Sequence, residues 1–155
     1  WLSKQTGKTV RLPTEAEWEM ACRGGTQTAY SFGDDAGELH KYGNYADKAS
    51  DLPDCDKEHD DKQAICEHVG RHGENPWKIK DMHGNAAEWC ADRWGAYRPG
   101  SSVDPTGPTS GLTRIVRGGS WFSLAKDLRS AARYSLTPIT RDTATGFRIV
   151  VELDN

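Results

Sequence analysis

Hydrophobic residues repeat with a helical period in only one part of this chain. In residues 14–23, Ala16, Met20 and Ala21 can share one face of a helix while Trp18 lies on another. From residue 26 to residue 75 the periodicity is lost among Gly, Asp, Asn, His and Lys. Short apolar or β-branched runs in the last third predict strands at residues 114–117, 128–134 and 146–153.

Both ends of the predicted helix carry residues that satisfy free backbone groups. Thr14 is placed to accept a hydrogen bond from the backbone of Glu17, and Glu17 to accept one in return, which is the pattern of a capping box. Gly24 and Gly25 follow the last periodic residue and favour a helix C-terminus. The sequence therefore predicts one helix over residues 14–23.

Composition narrows the classes of function. A length of 155 residues suits a single domain, residues 1–155. The net charge of −3, with no long basic block, argues against binding to nucleic acid. No apolar run approaches the roughly 18 residues that a membrane span requires. The 16 glycines and 6 tryptophans favour a loop-rich fold anchored by large aromatic side chains.

Five short motifs, in a fixed order, give the chain a specific resemblance. They are RLPTEAEWE, GNAAEW, RGGSW, RSAAR and GFR, at residues 11–19, 84–89, 117–121, 129–133 and 146–148. On these motifs the chain is identified as a member of the formylglycine-generating enzyme family, also called the sulfatase-modifying factor family. The resemblance implies an α+β, C-type-lectin-like fold that is rich in loops, with few helices and small antiparallel sheets. It also implies further N-terminal residues or a further domain before the first motif.

The family's enzymes bind copper through a cysteine pair just after the Gly-Gly-Ser-aromatic motif. Residues 120–129 contain no cysteine here, and Ser123 lies near the position of the first one. A serine hydroxyl is not the soft thiolate ligand that copper(I) prefers. We therefore do not expect formylglycine generation, nor iron or copper binding by this chain's own residues.

The four cysteines leave several pairings open. Family members often bridge the position of Cys22 to the final strand, but Ile149 stands there, so Cys22 is expected to be a buried free thiol. Cys55 and Cys66 flank an acidic loop and can form a disulfide in an oxidising compartment, whereas Cys90 has no evident partner. The alternative for this loop is a zinc site, whose ligands would be Cys55, His59, Cys66, His68 and His72. The spacing of these residues lacks the paired cysteine motif that is typical of zinc sites.

Calcium at two loop sites is what the resemblance implies. Oxygen ligands suit this cation. The first site would use the side chains of Asn44 and Asp61 with the carbonyl oxygens of Tyr45 and Gln63. The second site would use Asp81, the carbonyls of Met82 and Gly84, and Ala86 or Glu88. The alternative is that Asn44 and Asp81 only hydrogen-bond their own loops.

A ligand-binding surface is implied by a further resemblance, to the variable proteins of diversity-generating retroelements. In these proteins the C-terminal motifs form a scaffold, and positions between them are diversified for ligand binding. The positions that correspond here are Phe122, Ser123, Leu124, Tyr134, Leu136, Ile139 and Thr143.

Three functions remain open at this level. The first is a calcium-stabilised binding or accessory domain for a protein or small-molecule ligand. The second is an oxygen-using non-haem iron enzyme of the same family whose metal ligands lie outside this chain. The third is a ligand-binding variable protein of a diversity-generating retroelement.

Arginines in the C-terminal motifs are expected to be structural, tying loops together through carboxylate pairs. The alternative is an anion-binding pocket formed by Arg129, Arg133 and Arg148. Glu17 and Glu88 have no acid–base partner at an identifiable spacing.

Overall fold

The computed structural model describes residues 1–97, 99–100 and 102–153. It is an α+β fold with two α-helices, α1 (Leu2–Thr6) and α2 (Glu15–Arg23). Three 3-10 helices lie in the loops, at Ala36–Lys41, Lys48–Ser50 and Ala125–Leu128. The strands are β1 (Val10–Arg11), β2 (Ala87–Arg93), β3 (Arg114–Arg117), β4 (Tyr134–Leu136), β5 (Thr145–Gly146) and β6 (Val150–Val151). Within the described ranges, no helix is both long and apolar enough to cross a membrane.

The strands form two small sheets. Strands β1 and β6 pair antiparallel, with Val10 opposite Val151. The larger sheet has the order β4-β3-β2-β5, in which β3 is antiparallel to both neighbours. Strand β5 pairs with β2 in parallel, with Ala87 opposite Thr145, so this sheet is mixed and not purely antiparallel as predicted.

The helix prediction is confirmed at both ends. The Thr14 hydroxyl accepts from the backbone N–H of Glu17, and the Glu17 carboxylate accepts from the backbone N–H of Thr14. Gly24 ends the helix in the left-handed conformation. The buried face carries Glu15, Trp18 and Cys22, whereas Met20 from the predicted apolar face is exposed.

Two of the three strand predictions need correction, and the one at Arg114–Arg117 is confirmed. Residues 128–134 are not a strand: Leu128 ends a 3-10 helix, and β4 begins only at Tyr134. The intervening carbonyls of Ser130 and Ala132 accept hydrogen bonds from the Arg117 side chain, so they do not pair with a neighbouring strand.

The strand predicted at residues 146–153 is divided between two sheets. Gly146 ends β5 beside β2, and Val150 begins β6 beside β1. Between them Arg148 turns toward Glu88, and this ion pair interrupts the strand.

Two adjoining clusters of buried side chains form the core. One lies where α2 packs on β2 and β3, and it comprises Trp18, Cys22, Met82, Cys90 and Ile115. The other fills the space under the loops, and it comprises Tyr30, Leu39, Tyr45 and Leu128. Aromatic rings therefore supply much of the buried area.

Buried arginine–carboxylate pairs join α2 to the C-terminal motifs, which confirms the structural interpretation of these arginines. Arg133 binds Glu15 through two parallel hydrogen bonds of 2.6 and 2.8 Å. Arg117 is fully buried and its guanidinium reaches Glu19. Paired and hydrogen-bonded in this way, the buried charges avoid the large penalty of an isolated one.

His83 connects the two core clusters as a neutral imidazole. It is 1% exposed, and its Nδ1 lies 2.8 Å from the carbonyl of Leu128, so Nδ1 carries the proton. Its Nε2 accepts from the backbone N–H of Ser31 at 3.2 Å and lies 2.9 Å from the Ser31 hydroxyl. Burial lowers the pKa of His83 from 6.5 to about 4.

The low pKa of His83 makes stability fall in mild acid. Below pH 6.5 this imidazole binds a proton in the unfolded chain, whereas in the folded chain it does so only near pH 4. The free energy of unfolding should therefore be insensitive to this group above pH 7 and should drop by roughly 3 kcal/mol between pH 6.5 and 4. Urea unfolding across this range measures the drop.

His83→Asn keeps a donor toward Leu128 but cannot titrate, and it should flatten the pH dependence in this window. The exposed His68→Asn is the matched control and should leave the slope unchanged. A slope that survives in His83→Asn would assign the effect to other groups.

The backbone at Gly43 lies too close to the His83 carbonyl to leave room for a side chain. A Cβ at this position would lie 1.5 Å from the carbonyl oxygen of His83, whereas at Gly146 the nearest atom, the Cβ of Ala86, would be 3.5 Å away. Neither glycine has a positive φ, so the two sites differ in space alone. Gly43→Ala should destabilise by roughly 3 kcal/mol or more, and Gly146→Ala by less than about 1 kcal/mol. Equal urea midpoints for the two variants would contradict this.

Candidate metal-binding loops and ligand surface

Asn44 is the most unusual residue of the first predicted calcium loop. It is fully buried, and its Nδ2 donates to the carbonyl of Ile65 at 3.0 Å. Its Oδ1 is buried without a hydrogen-bond partner among the residues that the structure describes. Buried polar atoms are nearly always paired, so this oxygen is suited to a ligand such as a cation.

Asp61 and Gln63 are held together in the same loop. The Asp61 carboxylate accepts from the backbone N–H of Gln63 at 2.7 Å, and the Asp61 backbone N–H donates to buried Asp47 at 2.6 Å. The Tyr45 carbonyl accepts from the N–H of Asp47 at 2.8 Å. Burial and the charges of Asp47 and Glu67 raise the pKa of Asp61, which is the electrostatic condition that a bound cation relieves.

Glu67 and His72 are two further potential ligands close to Asp61. The sequence by itself does not group them with Asp61. The ligand atoms of Asp61, Glu67 and His72 all lie within 4.8 Å of one another. The side chains of Glu67 and His72 are only 6% and 13% exposed, and His72 Nε2 is hydrogen-bonded to Glu67. The spacing of these residues matches no metal motif, and only the path of the loop brings them together.

The zinc set that is the alternative for this loop is not assembled. Within the described part of the chain, the converging group includes His72 but neither the cysteines nor the other histidines of that set. All four cysteines are free thiols, so Cys55 and Cys66 are not bridged in this structure. Cys55 is buried against the Lys57 ammonium at 3.0 Å, and Cys66 is exposed.

The remaining two cysteines belong to the core. Cys22 is a buried free thiol, as expected, and so is Cys90. Burial raises the pKa of Cys22 to about 11 and raises the pKa of Cys90 as well. A thiol with a raised pKa carries little of the reactive thiolate, so neither residue is suited to redox or nucleophilic chemistry.

The second predicted calcium loop has a tightly constrained backbone. Asp81 adopts a positive φ of 58°, and its Oδ2 accepts from the N–H of Gly70 at 2.6 Å. At Gly84 the φ is 97°, and a Cβ would lie 2.1 Å from the carbonyl oxygen of Asn44. The two predicted calcium loops are therefore in direct backbone contact.

Glu88 does not fit the role of a calcium ligand at this loop. Trp18 Nε1 donates to its Oε2 at 2.6 Å, and Arg148 binds both of its carboxylate oxygens. The carboxylate is already neutralised by this guanidinium. The Asp81 carboxylate and the carbonyls of Met82, Gly84 and Ala86 remain a prediction for this loop. The Met82 carbonyl lies 3.8 Å from the Cys22 thiol.

Ser123 and Leu124, from the predicted ligand surface, belong mainly to the framework. The Ser123 hydroxyl accepts from the backbone N–H of Ser120 at 3.0 Å and closes the turn that follows Gly118 and Gly119. Leu124 is half-buried and immediately precedes the 3-10 helix Ala125–Leu128.

The other predicted surface positions are exposed to different degrees. Phe122, Tyr134 and Ile139 are 48%, 39% and 86% exposed. Trp121 packs edge-to-face on Phe122, and its indole N–H lies 3.4 Å from the carbonyl of Thr143, which joins those two positions.

Tyr134 and Leu136 form a second group on β4. Two residues apart, they lie on the same face of this edge strand, and Ile139 follows in the next turn. The surface is thus built from two supported groups and not from a single loop.

The anion pocket, the alternative to structural arginines, is not formed. Arg133 is committed to Glu15 and stacks over Tyr97, and Arg148 is committed to Glu88. Arg129 is exposed and donates to the carbonyl of Lys126.

An open groove that the sequence did not predict runs between α2 and the loop after β2. Its volume is about 1150 Å³, and its walls include Glu15, Met20, Trp77, Tyr97 and Arg133. Glu15 and Arg133 in its wall are paired with each other. The wall also carries other charged side chains, those of Glu19, Arg23, Asp92, Arg93 and Asp104.

Comparisons with known proteins agree with the motifs and the fold. Residues 1–153 match the family model described as sulfatase-modifying factor enzyme 1-like domain. The chain is 36% identical over 153 residues to the formylglycine-generating enzyme of Thermomonospora curvata, covering 92% of this chain and 49% of that protein. The chain thus spans about half the length of this relative.

Two solved structures are similar in fold and sequence. Treponema denticola variable protein 1 has a TM-score of 0.78 and 34% identity, over 92% of this chain and 47% of that one. PvdO from Pseudomonas aeruginosa has a TM-score of 0.80 and 30% identity, over 99% of this chain and 56% of that one. The chain belongs to the sulfatase-modifying factor family of formylglycine-generating-enzyme-like domains.

Proposed function

We propose that this chain is a ligand-binding domain of its family and not a formylglycine-generating enzyme. The proposal rests on the exposure of three large side chains in the C-terminal segment, those of Phe122, Tyr134 and Ile139. They are supported by a hydrogen-bonded framework. Aromatic side chains, as at Phe122 and Tyr134, are typical of binding hot spots.

The chemistry of the same segment supports binding over catalysis. Ser120 and Ser123 stand in the region where the family's enzymes place cysteine ligands for copper, and their hydroxyls bond to each other. The two cysteines of the hydrophobic core, Cys22 and Cys90, have raised pKa values. The donor set is therefore poor in thiolate, which soft metals require.

A variable protein of a diversity-generating retroelement is the specific form of binding domain that the likeness to Treponema denticola variable protein 1 favours. In that form, the exposed positions Phe122, Tyr134, Ile139 and Thr143 contact the ligand, while Ser123 and Leu124 mainly support the surface. The ligand is then a protein or a small molecule with an apolar surface of its own.

Calcium is proposed as a stabilising ion at the second loop, bound by Asp81 and neighbouring carbonyl oxygens. The fit rests on the carboxylate of Asp81, which is held in place by the N–H of Gly70. When bound, the ion would neutralise this carboxylate and fix the loop against the Asn44 backbone.

Selection of ligands tests the surface directly. A random peptide library displayed on phage is panned on the full chain, and the affinities of the selected peptides are measured by calorimetry. Phe122→Ala and Tyr134→Ala should each weaken binding about tenfold or more, because buried aromatic anchors carry much of the binding energy. Circular dichroism should show both variants folded.

Val69→Ala is the matched control, since Val69 is 83% exposed but lies in the polar loop. Peptides that bind all variants equally would contradict the proposed surface. Aldehyde formation on a cysteine-containing peptide supplied with copper(I) and oxygen would contradict the proposal as a whole.

Calcium should raise the unfolding midpoint of the chain above its value in a chelator. At a hundred times the dissociation constant the gain is about 2.7 kcal/mol. Asp81→Gly should lower the gain, because glycine tolerates the positive φ but lacks the carboxylate and its bond to the Gly70 N–H. Asp51→Gly is the control, since Asp51 is exposed and has a similar φ of 54°. A gain that persists in full in Asp81→Gly would remove this loop from calcium binding.

A further inference from the structure

We propose that this chain forms a symmetric dimer through strand β6, with a second copy of the chain as the partner. The strand lies at the edge of the two-stranded sheet, where β1 is its sole neighbour in the described part of the chain. The interface is separate from the proposed ligand surface, which is formed by residues 122–143, and from the proposed calcium loop at Asp81.

One face of this small sheet is apolar and exposed. In and beside β6 every second residue is hydrophobic, and these residues are accessible to solvent: Phe147 is 68% exposed, Ile149 44%, Val151 39% and Leu153 77%. Val10 lies opposite Val151 in the antiparallel pair and therefore on the same face. A contiguous apolar patch marks an interaction site, because contact between apolar surface and water is unfavourable.

The alternate residues are bound within the chain. Arg148 pairs with Glu88, and Glu152 pairs with Arg11 at 2.8 Å, while Val150 is half-buried. Their side chains thus contact the rest of the molecule, and the apolar face is left to solvent. A sheet of two short strands is marginally stable unless further strands or a packed layer are added, so this sheet is suited to an added partner.

The outer edge of β6 presents backbone groups to an added strand. The N–H of Glu152 donates to the carbonyl of Thr9, so the backbone of Glu152 faces β1. The direction of these groups alternates along an antiparallel strand, so the N–H and C=O of Val151 face outward. Continuing β6 by one residue puts those of Ile149 on the same side. An exposed edge with hydrophobic side chains is a template for pairing with another chain.

The sequence around β6 is complementary to itself, which selects a second copy as the occupant. Residues 147–153 read FRIVVEL, with apolar residues placed symmetrically about Val150 and charges of opposite sign on its two sides. In an antiparallel pair with its two-fold axis at Val150, Arg148 lies opposite Glu152 of the second copy. The apolar residues on either side of the axis also lie opposite each other. Apolar pairs and pairs of opposite charge are the cross-strand contacts that stabilise a sheet.

The dimer has one continuous sheet with the strand order β1-β6-β6-β1. Each copy contributes the same patch, as is usual for two-fold dimers. The patch is smaller than the roughly 800 Å² per partner of a standard interface, so we expect a dissociation constant in the micromolar range.

Sedimentation of the full chain tests the proposal. Between about 1 and 100 µM the chain should pass from monomer to dimer. Ile149→Lys puts a charge on the apolar face and should weaken dimerisation about tenfold or more. Val103→Lys is the matched control, because Val103 is 89% exposed in the loop between β2 and β3, and it should leave the equilibrium unchanged. Circular dichroism checks that each variant is folded.

Disulfide trapping tests the position of the two-fold axis. The experiment uses a Cys66→Ser background, which removes the exposed thiol. At the axis the two copies of Val150 form a non-hydrogen-bonded pair, in which the Cα atoms lie about 4.5 Å apart, and a disulfide can span this distance. Val150→Cys should therefore form a disulfide-linked dimer with oxidised glutathione, whereas Val103→Cys should not.

Three results would overturn the proposal. The first is a chain that stays monomeric at every concentration, which would assign the apolar face to a different partner. The second is a dimer that Ile149→Lys leaves intact, and the third is Val150→Cys forming linked dimers no faster than Val103→Cys. The phage selection and the Asp81→Gly result are unaffected by any of these outcomes.

Discussion

The buried guanidinium of Arg117 is the interaction on which the arrangement of the other elements depends. It lies on β3, pairs with Glu19 of α2, and donates to the carbonyls of Ser130 and Ala132. One fully buried charge therefore fixes the helix, the central sheet and the C-terminal segment relative to each other. Because an unpaired buried charge is so unfavourable, displacing any one of the three elements would leave this guanidinium without part of its pairing.

Two further arginines extend this constraint to both sides of the sheet. Arg133 reaches back to Glu15 at the start of α2, and Arg148 reaches Glu88 on β2, where Trp18 also donates. Such forked pairs fix orientation as well as distance. A framework of this kind thus supports the exposed positions around residues 122 and 134. The side chains at these positions can be substituted without a change in the framework. This separation of support from contact is what a binding surface of variable composition requires.

The polar loops are stabilised in a different way. With little regular structure from residue 26 to residue 86, their backbone is held by carboxylate and amide side chains, such as Asp47 bonding the N–H of Asp61 and Asn85 bonding Glu67. Local bonds of this kind replace a sheet ladder. They also concentrate negative charge, which is why the loops, and not the sheet, hold the candidate metal ligands.

The sequence by itself determined the local structure and the family. Thr14, Glu17 and Gly24 define α2 because a cap needs only residues within one turn. The motifs identify the family, and they place the arginines that the structure shows paired. Only the tertiary structure decided which residues far apart in the chain become partners, such as Arg133 and Glu15, which are 118 residues apart. The same holds for the parallel pairing of β5 with β2, the removal of residues 128–133 from any strand, and the meeting of Asp61 with His72. No local periodicity encodes these contacts, because each depends on where a loop returns after the core has packed.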